Sequence, residues 1–135
     1  MSKSLIYTAL TNPTLVAVGS TIPLGSIIRR RGGCISMNGS AVNVLEPGYY
    51  DVDVSATFTA PTAGNVTVSL LQDGVAVSGM NATTTITTAT TQVENMGITG
   101  TIRVLCGSAP DALTLVVSGV AATFSNVAVR VTKVA

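Results

Sequence analysis

The chain has no histidine and no tryptophan, only three tyrosines and two phenylalanines, and charged residues make up just 10% of its 135 positions. Each shortage excludes something. Without histidine, the commonest general base and the commonest metal-binding side chain are missing together. Two cysteines, Cys34 and Cys106, cannot build a zinc site without histidine partners. A charged fraction far below the roughly 25% of an ordinary soluble domain leaves a mostly neutral surface, which invites association between copies. The net charge of +1 supplies no basic face for neutralising phosphates, so nucleic acid is not an expected partner. No apolar run approaches the roughly 20 residues that span a bilayer, and "MSKSLIYTAL" has no signal-peptide pattern. The expectation is therefore no membrane partner and folding in the cytoplasm. The two thiols leave two readings open, a buried pair of free cysteines or a single disulfide.

What the chain does have is valine, threonine, serine and glycine throughout, the composition of pleated and half-buried strands. Its length suits one domain with one core. Residues 46–58, "EPGYYDVDVSATF", set a polar row of Tyr49, Asp51, Asp53, Ser55 and Thr57 against an oily row of Tyr50, Val52, Val54, Ala56 and Phe58. A period of two marks a strand with one face in a core. Turn signals recur at Asn38-Gly39, Pro47-Gly48, "PTAG", Asp73-Gly74 and "GSAPD", and their density predicts about ten short antiparallel strands in an all-β sandwich. Asp73-Gly74, between two alternating runs, is the strongest of these hairpin signals. The expected core is Tyr50, Val52, Val54 and Phe58 packed with Val68, Leu70, Leu115, Val117, Val127 and Val129. Residues 83–91, "TTTITTATT", read either as an edge strand or loop facing water or as a strand packed on a symmetry mate.

Candidate chemistry is sparse. The six acids are Glu46, Asp51, Asp53, Asp73, Glu94 and Asp111, and turns claim Asp73 and Asp111 through bonds to nearby backbone. Asp51 and Asp53 share one strand face about 7 Å apart, a spacing open to a glycosidase-like pair, a Ca²⁺ pair, or a solvated or interface-facing surface. Ca²⁺ wants six or more oxygens, usually from a loop, and no Asp-rich loop is present. The expectation is thus no catalytic residue, no metal and no cofactor. "IIRRRGG" is the one charge run. Arg29, Arg30 and Arg31 must send side chains to both faces of a strand; at least one is expected to pair with Glu46 or Glu94, or to point at a threefold axis or partner. They are also the candidate ligand residues for an anion, sialic acid or a polyanion. The sequons at Asn38, Asn65 and Asn81 carry little without a secretory signal.

The stretch "TIPLGSIIRRRGGCISMNGSAVNVLEPGYYDVDVSATFTA" resembles the opening half of the bacterial and phage branch of the complement-globular-head and tumour-necrosis-factor-like jelly rolls. The family's signature of a glycine, a tyrosine two positions on and an apolar residue two further falls on Gly48, Tyr50 and Val52, with Phe58 completing the core positions. The resemblance continues through "GNVTVSLLQDGVAVSG", "IRVLC", "LTLVVSG" and "NVAVRVTKV", covering residues 14–134. It departs from the family in lacking both a collagen-like stalk and the aromatic residues of animal members. The resemblance implies a ten-stranded jelly roll over residues 14–135, assembled as a homotrimer, whose function is display or binding and not catalysis. Similar stand-alone domains point to a virion surface component of a phage or prophage, a capsid decoration or fibre head. The alternatives are a receptor- or glycan-binding adhesin head, or a domain exposed on a bacterial cell or spore surface. Residues 1–13 precede the match and are expected to form an arm that docks on a capsid or tail protein.

Overall fold

A computed structural model describes residues 4–106 and 110–135. Every regular element in it is a strand: β1 Leu5–Leu10, β2 Thr14–Val16, β3 Ser26–Arg31, β4 Ile35–Asn38, β5 Ala41–Val44, β6 Gly48–Thr59, β7 Gly64–Gln72, β8 Val75–Ile86, β9 Glu94–Val104, β10 Asp111–Gly119 and β11 Ala122–Lys133. They form two antiparallel sheets. Sheet A runs β3-β1-β11-β6-β9 with β2 also paired to β11, and sheet B runs β4-β5-β10-β7-β8. Chain-distant strands such as β1 and β11 lie side by side, the winding of a jelly roll. No helix among the described residues is long and apolar enough to cross a membrane.

The alternation that marks β6 in the sequence is what fills the space between the sheets. Tyr50, Val52, Val54, Ala56 and Phe58 point inward and are buried, and all ten residues expected in the core are buried. Phe58 and Phe124 meet with ring centroids 5.5 Å apart and planes at 46°, a tilted arrangement that aromatic pairs favour. Gly48 opens β6 at φ 146°, and a Cβ there would lie 2.5 Å from the carbonyl oxygen of Ala135. That approach is used: Tyr49 N–H donates to Ala135 O at 3.1 Å, and Val134 N–H donates to Tyr49 O at 2.9 Å. The signature glycine thus lets the C-terminal end of the chain lie against the start of β6.

Asp73 and Gly74, at φ 52° and 81°, form the two-residue loop between Gln72 and Val75, as a type I′ turn requires. The other hairpin differs by one residue from expectation. Asn38 pairs with Ala41, so the loop is Gly39-Ser40, and only Gly39 has positive φ. A glycine at the first loop position is the II′ arrangement, so Asn38 stays in the strand. The threonine run splits: its start lies in β8, the edge strand of sheet B, and its end lies in the loop that follows. The turn expected at "GSAPD" falls partly on residues 107–109, outside the described residues.

Two expectations are corrected. Of the segment expected to be an arm, residues 4–13 are not apart from the domain, and residues 1–3 lie outside the described residues. Leu5–Leu10 is an inner strand of sheet A, hydrogen-bonded to β11 on one side and β3 on the other, with Ile6 and Thr8 wholly buried. The ten strands expected over residues 14–135 are β2 to β11, and β1 is the eleventh. The polar Thr8 and Thr11 interrupt the oily pattern of this segment, yet two backbone ladders, one to β3 and one to β11, hold β1. The cysteines are both free, but they are not a buried pair, because Cys34 is buried and Cys106 is exposed.

Candidate association face

The strand register shows which side chains share the outward face of sheet A. Residues directly opposite in an antiparallel pair project from the same side, so each line of partners is a row across the sheet. One row is Arg29, Tyr7, Arg130, Asp53 and Thr99; the next is Arg31, Leu5, Thr132, Asp51 and Thr101. A third row, Ala9, Ala128, Ser55 and Gly97, is made only of small residues. Where the small row meets the Arg130 row, Tyr7, Asp53, Val54, Ser55, Ala128 and Arg130 line a depression of about 300 Å³. Gly97 is not forced by crowding, since a Cβ there would find only Val54 O at 3.8 Å.

Asp51 and Asp53 are tied into this surface by neighbouring strands. Thr99 Oγ1 donates to Asp53 Oδ1 at 2.7 Å, Thr101 Oγ1 donates to Asp51 Oδ1 at 2.7 Å, and Arg130 pairs with Asp53 Oδ2. The threonine hydroxyl, and after it the Arg130 guanidinium, hold the Asp53 carboxyl below the usual carboxylate range. With 58% and 40% of the Arg130 and Asp53 side chains exposed, their pairing adds at most about 1 kcal/mol to stability. Both carboxylates accept fixed hydrogen bonds on a broad, open sheet face.

The three arginines divide between two faces, as three consecutive strand residues must. Arg29 and Arg31 stand opposite Tyr7 and Leu5, on the outward face, and Arg30 stands opposite buried Ile6. Arg30 Nε donates inward to Ile35 O at 3.0 Å, and Arg29 Nη1 donates to Ile28 O at 2.9 Å. The expected pairing with Glu46 or Glu94 does not occur among the described residues. Glu46 Oε2 instead accepts the Cys34 thiol at 2.8 Å and Lys133 Nζ at 3.4 Å. Those two contacts, the thiol foremost, lower the Glu46 pKa. Glu46 lies in the loop before β6, where β11 delivers Lys133 opposite Tyr50, so the nearer lysine takes it. Of the signature positions, Tyr50, Val52 and Phe58 are core and Gly48 shapes the start of β6; none reaches the outward face. Tyr49 does, with the Arg103 guanidinium 5.7 Å from its ring centre. Arg130, Thr99, Thr101 and the small row were missed in the sequence because their proximity depends on pairing between distant strands. The alternation in "NVAVRV" places Arg130 opposite to Val129 and Val131, the one local hint.

No protein-family model matches the chain, and no curated protein matches it by sequence. Solved structures do match by shape. Murine APRIL, of the tumour-necrosis-factor family, superposes with a TM-score of 0.70 at 16% identity over 98% of this chain and 100% of its own. The globular domain of zebrafish complement 1qA gives 0.66 at 7% identity, over 93% of this chain and 94% of its own. The PRD1 vertex protein P5 gives 0.62 at 10% identity, over 98% and 97%. These likenesses span almost whole chains, and with the strand order above they make this fold an all-β tumour-necrosis-factor-like jelly roll.

Proposed function

We propose that the chain is a non-enzymatic structural protein that works as a homotrimer on a phage or prophage virion, as a capsid decoration or fibre head, with the outward face of sheet A as its self-association face. The observation that carries this reading is the row Ala9, Ala128, Ser55 and Gly97, a strip of small residues across four strands that deepens into a trough at Ser55 and Ala128, with polar rows beside it. Small side chains let a second backbone or a larger side chain approach closely, which dense packing at an interface needs. The resemblance to the trimeric jelly-roll family and the low charge of the chain favour a copy of itself as the partner. The virion setting is supported by the fold shared with a vertex protein. A structural role agrees with the engagement of the acids: Asp53 and Asp51 by threonines, Glu46 by Lys133, and Asp73 by the N–H of Ala112 at 2.7 Å.

The test is to fill the trough. Ser55→Arg, and separately Gly97→Arg, places a long charged side chain on an outward position that the core does not use. Either variant is expected to keep the wild-type circular dichroism spectrum and to sediment as a monomer. A variant that keeps the wild-type assembly would remove this face from the interface.

A further inference from the structure

Apart from Arg130 with Asp53 and Lys133 with Glu46, the charges of this sparsely charged chain do not meet one another as ion pairs among the described residues. Three of the unmatched groups share the outward face of sheet A. Arg29 and Arg31 stand at its β3 edge, on a strand whose six residues are all exposed. Asp51 stands on β6 in the same row as Arg31, with Thr101 bound to Oδ1 and no ion-pair partner among the described residues. Two strands, β1 and β11, lie between β3 and β6. Three strand spacings come to about 14 Å, so these charges are held apart within one chain although they point the same way.

We propose that they meet between chains: the Arg29 and Arg31 edge of one copy lies over Asp51 of the next, and this pairing sets the register of the self-association face. The inference rests on the self-association reading above and adds what orients it. Two different patches on one surface, one cationic and one anionic, are what a head-to-tail contact joins, and repeated by rotation such contacts close into a ring. Asp51 is the member left for this role, because Asp53 is already held by Arg130 and Thr99. Arg30 is excluded by its inward bond to Ile35 O. The small-residue trough provides close approach without direction, and the charges provide direction, since unlike charges fix register and like charges oppose a wrong one.

The experiment is a charge-swap series read by sedimentation equilibrium at low and at physiological salt. The variants are Arg29→Glu with Arg31→Glu, Asp51→Lys, and all three together. Each reversal alone is expected to weaken assembly by about tenfold or more, and the triple variant is expected to recover most of that loss. Wild-type assembly is expected to weaken as salt rises. Circular dichroism and the melting temperature of each variant confirm that an exposed substitution has left the fold intact. If the reversals leave assembly within about twofold of wild type, or if the triple variant shows no recovery, the pairing is wrong while self-association stands. If wild type is itself a monomer at every concentration, the association reading fails and the pairing with it.

Discussion

Thr8 and Tyr50 are both buried polar side chains, and they fare differently. The Tyr50 hydroxyl donates to Glu46 O at 2.8 Å, whereas the Thr8 hydroxyl is enclosed without a hydrogen-bond partner among the described residues. An unpaired buried hydroxyl costs on the order of 1–3 kcal/mol, and valine has nearly the same shape. Thr8→Val is therefore expected to raise the melting temperature, by a gain of about 1 kcal/mol, and calorimetry would measure it. Tyr50 has its pKa raised to about 12, first by burial and then by the nearby Cys34 and Glu46. An acid whose folded pKa exceeds its unfolded value near 10 stabilises the fold fully below pH 10, and that contribution is lost between pH 10 and about 12. Wild type should lose stability across that window. Tyr50→Phe should be weaker at neutral pH, by about 1 kcal/mol for the missing hydrogen bond, yet fall less steeply from pH 10 upward. Denaturant melts at pH 7, 10 and 11.5 would separate the two effects, and parallel slopes for both proteins would contradict this account.

At the scale of elements, the strands legible in the sequence are those with one dry face and one wet face. β6 and the Val-rich parts of β10 and β11 show a clean period of two because their inner residues face the opposite sheet. The Asp73-Gly74 turn is legible because both its residues adopt positive φ, which few sequences tolerate. β1 and β3 are hard to read for physical reasons. β1 buries a threonine and half-exposes Leu5 and Ala9, so its alternation is blurred; β3 is an edge strand exposed on both faces, so it has no oily row. What holds β1 is the ladder on each side, and the one with β11 joins residues more than 100 positions apart, such as Ile6 with Val131. Removing residues 2–12 should therefore do more than detach an arm. It would strip β11 of a partner along Val127–Thr132 and uncover the core beneath Ile6. The truncated protein is expected to be insoluble or to melt without a cooperative transition, as followed by circular dichroism. A truncated protein as stable as the full chain would show that β1 is dispensable.

At the scale of the whole molecule, the sandwich form was predictable from composition and turn density, while the candidate face was only partly so. Asp51, Asp53, Ser55 and Thr57 could be placed on one outward row from β6 alone. That Ser55 lies between Ala128 and Gly97, and that Arg29 and Arg31 share the face with Asp51, follows from the order β3-β1-β11-β6-β9, which no local pattern encodes. Large apolar side chains are exposed elsewhere too, Leu15, Val18, Ile27, Ile28, Val75 and Val93 among them. Exposed apolar side chains are ordinary for a folded surface, whereas the row of small residues on sheet A runs across four strands. The most direct measurement is the molar mass of the wild-type chain in solution, by light scattering or sedimentation equilibrium from nanomolar to micromolar concentration. The account predicts three times the 13.6 kDa of one chain, and a species that stays at the mass of one chain throughout would contradict it.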